Sequence, residues 1–185
     1  MHPKLFLNRR HKTPVHFVLW VKGDENMQLQ DSSDIRRALE LYSPLVYRLA
    51  YSRTGSHADA EDVCQEVFMS LVRKNPDFET EENRRAWLIR ATMNRAASLW
   101  RTPWKKRVAL GDDSAQHRSA VRQDEALADA LESLSGDDRA LIQLHYYEGF
   151  KSDEIAAMLG RKPATVRTQL MRARNRLKKQ LTEEV

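Results

Sequence analysis

The first half of the chain carries a helical pattern of apolar and polar positions. From 34 to 53, apolar residues recur every three or four positions and leave one polar face, which is typical of an amphipathic helix. Ser56 is a typical N-cap and begins a second helix that extends to about Lys74. A third helix is predicted from about Glu81 to Pro103, whose ring ends it. The first half is therefore predicted to form three helices.

The second half carries shorter apolar runs with clear boundary residues. Ser135 and Ser152 are suited to cap helices that begin just after them. Gly160 suits the left-handed position after a helix, and Pro163 suits the first turn of the next one. Helices are therefore predicted over 125–134, 136–148 and 153–159, and from 163 onward. The last two have the spacing of a helix-turn-helix.

A polar stretch separates the two helical halves. Residues 105–124 have no periodic apolar stripe, so they are predicted to be a flexible linker between a domain of residues 31–104 and one of residues 125–182. Residues 1–30 also lack this periodicity and are interpreted as an N-terminal extension. The sequence leaves open whether this extension is disordered and whether the natural chain starts at Met27. The predicted fold is all-α, with two small helical domains.

Composition agrees with a globular, helix-rich chain. Of the 185 residues, 41% are hydrophobic and 31% charged, with only 6 Gly and 6 Pro, which argues against a disordered or fibrous protein. The single Cys64 cannot form an internal disulfide, so nothing indicates an oxidising compartment. The apolar run of residues 15–21 is too short to span a bilayer. A cytoplasmic protein without stable membrane insertion is expected.

Charge is segregated along the chain. The formal net charge is +5 and the pI is near 9.4, which favours polyanionic partners. Residues 84–110 and 155–182 contain no Asp or Glu but are rich in Arg and Lys, whereas the second helix begins with an acidic cluster. A single charged run is usually a solvated helix face. Two separate cationic elements in one small chain indicate nucleic-acid binding.

Three motifs together carry a family resemblance. Residues 152–174, SDEIAAMLGRKPATVRTQLMRAR, resemble the promoter-reading domain of bacterial sigma factors. Residues 59–68, DAEDVCQEVF, resemble the family's polymerase-binding helix, and residues 85–95, RAWLIRATMNR, resemble its promoter-melting helix. A helix-turn-helix alone is shared by many repressors and activators, so the combination makes the resemblance specific. Over residues 34–182 the chain is similar to the extracytoplasmic-function (ECF) type of sigma factor, in the sigma-70 family.

The resemblance implies that the last helix reads the minus-thirty-five promoter element. An apolar stripe is predicted to pack on Ile155, Ala156 and Leu159 of the preceding short helix and to leave the opposite side exposed. The stripe consists of Val166, Leu170, Ala173, Leu177 and Leu181. Arg suits bidentate bonding to guanine, and Thr or Met suits a thymine methyl, although some of the arginines can instead hold phosphates. The predicted contacts are Arg167, Thr168, Met171, Arg172 and Arg174.

The resemblance also implies that the third helix and the loop before it capture an unstacked base of the minus-ten element. Such a base needs polar groups for its edge and a surface for stacking. For Phe78, a plain core position is an equal alternative. The predicted contacts are Phe78, Asn83, Arg90, Asn94, Arg95 and Arg101.

Core RNA polymerase is the protein partner that the resemblance implies. Asp62, Gln65 and Glu66 occupy positions that resemble the family's contact with the clamp helices of the largest polymerase subunit, and their charge suits a basic surface. Asp62 has an alternative role in offsetting the helix dipole. Promoter DNA is the second implied partner, and an anti-sigma factor is the third.

Other classes of function find less support in the sequence. His57, Glu61 and Cys64 share one helix face, but no fourth ligand accompanies them, so no metal and no other cofactor is expected. No nucleophile, carboxylate pair or Gly-rich phosphate loop indicates an enzyme. The remaining alternative is a helix-turn-helix regulator that binds operator DNA without polymerase and uses its first domain for sensing or dimerisation.

Overall fold

A computed structural model of the chain describes residues 29–99 and 122–183, with side chains from 33 to 99 and from 126 to 182. Within those residues every regular element is helical, so the all-α prediction is confirmed. The predicted extension and linker lie outside the described residues, apart from residues 29–30 and 122–124, which are helical. The domain boundaries placed in those segments stay predictions.

The chain divides into two compact units, the first ending at Pro44 and the second beginning at Leu45. Within the second unit we distinguish an N-terminal half, residues 45–99, from a C-terminal half, residues 122–183. Among the described residues, no helix has both the length and the apolar character that crossing a bilayer would require.

Three helices form the N-terminal part of the fold. They are α1 (Leu29–Thr54), α2 (His57–Lys74) and α3 (Glu81–Leu99). Helix α1 begins at Leu29, five residues before the apolar pattern predicts, and the first buried residue among its described side chains is Ile35. The other two helices begin at or within one residue of their predicted positions.

The boundaries of α2 are fixed by local hydrogen bonds. The Ser56 hydroxyl accepts from the backbone N–H of Asp59 at 3.3 Å, which confirms the predicted N-cap. At the other end, Asn75 adopts the left-handed conformation with φ of 37°, and its N–H donates to the carbonyl of Leu71. The buried stripe of α2, which includes Val67 and Phe68, faces α3.

Four helices form the C-terminal half. They are α4 (Arg122–Glu132), α5 (Gly136–Ile142), α6 (Ser152–Leu159) and α7 (Pro163–Glu183). Ser135 caps α5 by accepting from the N–H of Asp138 at 3.2 Å, as predicted. Gly160 ends α6 with φ of 63°, and α7 begins at Pro163, which also confirms the turn between them.

Two predictions about this half were wrong. The helix expected over 136–148 changes to a π turn over Gln143–Tyr147, where the Glu148 N–H donates to the carbonyl five residues earlier. The cap of α6 is Lys151, and Ser152 is the first helical residue. The carboxylate of Glu154 accepts from the Lys151 N–H at 2.7 Å, so this amide is satisfied from inside the helix.

The core of the C-terminal half forms around α7, which packs against α4, α5 and α6. Of the predicted stripe, Val166, Leu170 and Ala173 are buried, whereas Leu177 and Leu181 are half-buried. Ile155 and Ala156 of α6 are buried as well. The third buried apolar residue of α6 is Met158, whereas Leu159, the residue expected there, is only half-buried.

Candidate nucleic-acid interface

The outer face of α7 is cationic and exposed. Because the opposite stripe is buried, the five residues predicted to read the minus-thirty-five element all lie on the solvent side. They are Arg167, Thr168, Met171, Arg172 and Arg174. Arg167 lies 3.3 Å from a carboxylate oxygen of Asp153, but both side chains are more than half exposed, so this ion pair is weak and easily exchanged. The face is therefore available to a duplex.

A shallow groove of about 190 Å³ runs beside this face. It is lined by Arg167, Met171 and Arg174 of α7 together with His145 and Tyr146 from the π turn. The π-turn residues were not predicted from the sequence, because a continuous helix was expected over 136–148 and a π turn leaves no apolar signature. Tyr146 is 53% exposed, so an aromatic surface adjoins the cationic face.

Helix α3 carries the second cationic face, and two of its arginines are already engaged. Arg90 donates from Nε to the Met158 carbonyl at 2.7 Å, and Arg95 forms an ion pair with Glu66 of α2. Asn94, between them on this face, is exposed. The Nε of Arg95 is buried without a hydrogen-bond partner, the one such side-chain atom among the described residues.

These side chains line a groove of about 410 Å³ between α2 and α3. Arg73 and Lys74, in the last turn of α2, add two cations that the sequence analysis missed. Both basic residues are visible in the sequence. Basic residues in the last turn of a helix are normally explained by the helix dipole, so the sequence alone gives them no further role. With Trp87 on the groove wall, the surface combines cations and an aromatic ring, which suits single-stranded nucleic acid.

Phe78, in the loop before α3, and Asn83, in the first turn of α3, lie at the beginning of the helix. Phe78 is half-buried, its ring meeting Trp87 edge-on at 6.0 Å between centroids, with the Arg84 guanidinium 5.4 Å from its own centroid. Asn83 is exposed, but it lies eleven residues from Asn94, which is about 16 Å along a helix. The predicted minus-ten residues therefore follow one helix side rather than close around a single pocket. Arg101 lies outside the described residues.

The three residues of α2 that are predicted to contact polymerase have different surroundings. Asp62 and Gln65 are exposed, whereas Glu66 is half-buried in its ion pair with Arg95. Glu66 thus connects the predicted polymerase-binding face to the predicted minus-ten face. Asp59 is the acidic residue in the first turn of α2, and Asp62 lies beyond that turn, where a charge interacts less with the helix dipole.

The residues considered as a metal site have other surroundings. His57 Nδ1 lies 2.7 Å from the Tyr47 hydroxyl, and its ring stacks on Tyr51. Burial raises the pKa of the Cys64 thiol to about 12, and the charge of Glu61 adds to the shift. In the part of the chain that is described, no group of three His, Cys, Asp or Glu residues is placed to hold a metal ion.

Two family models match this chain. Sigma-70 region 2 matches residues 38–106, and Sigma-70, region 4 matches residues 124–177. The first range contains α2, α3 and most of α1. The second contains α5, α6 and the greater part of α4 and α7.

Curated and solved relatives agree with these matches. The chain is 35% identical over 153 residues to the ECF RNA polymerase sigma factor SigE of Mycolicibacterium smegmatis, covering 75% of this chain but only 58% of SigE. It is 30% identical over 159 residues to the ECF sigma factor SigL of Mycobacterium tuberculosis, covering 80% of this chain and 89% of SigL. The solved sigma factor RpoE of Bartonella quintana, in complex with the anti-sigma factor NepR, has a TM-score of 0.62 and 31% identity, covering 80% of this chain and 97% of RpoE.

Proposed function

The chain belongs to the ECF sigma factors of the sigma-70 family, and we propose that it binds core RNA polymerase and directs transcription initiation at promoters with minus-ten and minus-thirty-five elements. The observation that carries this proposal is the order of its parts. An acidic helix, a cationic helix and a helix-turn-helix with an exposed cationic face follow one another in one small chain.

The minus-thirty-five element is read by α7. Arg167 and Arg172 lie in the N-terminal part of the helix, which is the part that reaches base edges when such a helix enters the major groove. Thr168 and Met171 supply contacts to thymine methyls, and Arg174 holds the backbone. Their common exposure, opposite a buried stripe, supports this assignment.

The minus-ten element is bound along α3 and its preceding loop. Asn94, Arg90 and Arg95 border the groove between α2 and α3, whose cations attract the phosphates of a separated strand. Phe78 and Asn83 act at the other end of the helix. Since one flipped base cannot reach both ends, we assign different nucleotides of the element to each.

Core polymerase is contacted by Asp62, Gln65 and Glu66 of α2. The exposure of Asp62 and Gln65 supports this role, as does the charge of the face, which complements a basic surface. Glu66 takes part once its ion pair with Arg95 is exchanged.

Further properties follow from the same assignment. The family is not known for enzymatic activity, and we propose that this protein catalyses no reaction and acts in the cytoplasm beside the polymerase. Because the related RpoE was solved with an anti-sigma factor, we also propose an anti-sigma partner for this chain.

The alternative is a helix-turn-helix regulator that binds operator DNA alone. It would explain the cationic face of α7 but not the groove between α2 and α3. It also gives no role to the exposed acidic residues of α2, which favours the sigma factor.

Transcription from a promoter library tests the proposal. With purified core polymerase, addition of the protein should produce transcripts that start at a fixed distance from a shared two-element motif, and core polymerase alone should not. Binding to the same DNA without polymerase should be weak. Tight binding to a pseudo-palindrome without polymerase, with no protein-dependent transcript, would establish the regulator instead.

A further inference from the structure

The π turn brings a histidine to the side of the C-terminal half that is proposed to read DNA. His145 and Tyr146 of this turn line the groove of about 190 Å³ together with Arg167 and Arg174 of α7. His145 has no part in the proposed reading of the minus-thirty-five element. Since π turns within helices are often found at functional sites, the placement of this side chain points to a role of its own.

The His145 ring is held by one hydrogen bond and one ring contact. Its Nδ1 lies 2.7 Å from the backbone carbonyl oxygen of Phe150, and the ring of Tyr146 meets it edge-on with 4.8 Å between centroids. A carbonyl oxygen can only accept, so this hydrogen bond requires the proton of the neutral ring to be on Nδ1. Nε2 is then the unprotonated nitrogen, and none of the described residues forms a hydrogen bond with it.

The protonation state of the ring therefore decides what Nε2 can bind. In the neutral ring, Nε2 offers a lone pair, which a phosphate oxygen repels. In the protonated ring, Nε2 offers an N–H group and a positive charge, and a hydrogen bond from such a donor to a phosphate is a strong one. Histidine is the side chain whose charge ordinarily changes between about pH 5 and 8.

Two cations share the groove with His145. Arg167 and Arg174 are exposed, and their charges attract a phosphate to this place. A phosphate beside the imidazole favours the protonated ring, so binding of the phosphate is coupled to uptake of a proton. The remaining titratable group of the groove lining is the hydroxyl of Tyr146, and tyrosine ordinarily loses its proton only near pH ~10.

The carboxylates closest along the chain have other partners. Asp153 of α6 lies 3.3 Å from Arg167, and the carboxylates of Glu148 and Glu154 accept hydrogen bonds from other parts of the chain. None of these three residues lines the groove with His145. The counter-charge for a protonated ring is therefore best supplied by a bound anion.

We propose that His145 is a further DNA ligand, which binds a phosphate beside the minus-thirty-five element when its ring is protonated and releases it when the ring is neutral. When a recognition helix enters the major groove, the element before the helix-turn-helix lies beside the DNA backbone, so a phosphate rather than a base is its partner. The inference rests on the proposed function, because that function places α7 on the minus-thirty-five element.

The sign of the pH effect follows from which form of the ring binds. Affinity for the minus-thirty-five element should rise as the pH falls and should level off once the ring is protonated in the free protein as well. The residues predicted to bind the minus-ten element include no histidine. Acidification should therefore strengthen one of the two promoter contacts and leave the other unchanged.

Three variants of the full chain separate a phosphate contact from a structural role. His145→Asn retains a side-chain N–H near the position of Nδ1, where it can still donate to the Phe150 carbonyl, but it removes Nε2. His145→Arg supplies a charge that does not depend on pH. His57→Asn is the matched control, because it replaces a half-buried histidine of α2, outside the groove.

Fluorescence anisotropy measures binding of holoenzyme to a labelled duplex promoter selected from the library, in salt titrations at about pH 6 and about pH 8. At the lower pH, wild type should bind several-fold more tightly than His145→Asn and release about one more counterion, whereas at the higher pH the two should agree. His57→Asn should behave as wild type. His145→Arg should show the larger salt dependence at both pH values.

Equal pH dependence and equal salt dependence in wild type and His145→Asn would overturn the inference. A loss of affinity in His145→Asn by the same factor at both pH values would overturn it as well, since the histidine would then have a structural role. If circular dichroism shows that His145→Asn is unfolded, His145→Arg decides. In that case, a salt dependence at the higher pH no larger than that of wild type would refute the phosphate contact.

Promoters varied singly through the minus-thirty-five element distinguish a phosphate from a base. A phosphate carries no base identity, so the ratio of wild-type to His145→Asn affinity should be the same on every promoter. Relaxed preference at one base pair would reject the phosphate as the partner. Transcription by wild-type holoenzyme at the higher pH tests the proposed function separately: its absence would reject that function, whereas transcription with a pH-independent His145 would reject only the phosphate contact.

Discussion

Arginine has several distinct roles in this chain, and the structure separates them by what each guanidinium contacts. Arg172 is exposed on α7, Arg95 is paired with Glu66, and Arg90 is bonded to the carbonyls at the end of α6. The sequence predicted that all three lie on polar helix faces, because helical periodicity alone determines that. It did not predict the partners of Arg90 or Arg95, since both come from distant parts of the chain.

Replacing Arg172 by Ala should change the sequence preference of the protein. If its guanidinium bonds bidentately to a guanine, the variant loses about 1–3 kcal/mol of binding free energy and relaxes preference at one base pair. Lys178→Ala, on the exposed surface further along α7, is the control: a lost phosphate contact weakens all promoters alike and reduces the salt dependence by about one counterion. The measurement is a salt titration of holoenzyme on promoters varied singly through the minus-thirty-five element. Uniform weakening by Arg172→Ala would place this side chain on the DNA backbone.

The double variant Asp62→Ala and Glu66→Ala should weaken association with core polymerase several-fold, mainly by slowing association, because it removes two charges that face a basic partner. Neither residue belongs to the buried stripe, so circular dichroism should show a folded protein. Glu61→Ala, an exposed acidic residue on the same helix outside the predicted contact, controls for net charge. Surface plasmon resonance with immobilised core polymerase measures the association rate and affinity of the double variant and of Glu61→Ala. Wild-type association by a folded double variant would remove α2 from the polymerase interface.

At the level of elements, the sequence predicted most of the helix ends that depend on one residue; the exception is Ser152, which is the first residue of α6 and not its cap. Ser56, Ser135, Gly160 and Pro163 each act locally, and each lies where expected. The prediction failed where an end depends on a contact that periodicity does not encode. The π turn after Ile142 is the clearest case. A π turn contains one residue more than an α-helical turn, and this difference leaves no mark on the amino-acid composition of the segment.

The cap of α2 gives a test at this scale. Ser56→Ala leaves the N–H of Asp59 without its acceptor and should lower the free energy of unfolding by about 1 kcal/mol. Ser56→Asn keeps an acceptor in the same place and should retain most of the stability. Urea unfolding followed by circular dichroism measures both variants. If the two lose the same stability, the serine contributes through something other than its cap.

At the level of the whole molecule, the contact between the two halves was not predicted. Apolar periodicity indicates which face of a helix is buried but not which distant element buries it. Gly136 carried the one usable signal: a glycine at the first position of a helix, with Ser135 already supplying the cap, has no local reason to be there. A glycine that local structure does not explain is thus a sign of close backbone approach.

The close approach at Gly136 joins two parts of one polypeptide, because a Cβ atom there would overlap the carbonyl oxygen of Arg53. Two surfaces on the same chain meet at an effective concentration that the intervening residues determine, so this contact does not depend on the protein concentration. A contact between two separate chains, in contrast, weakens on dilution. The fraction of molecules in which these backbones meet should therefore be the same in a dilute and in a concentrated solution.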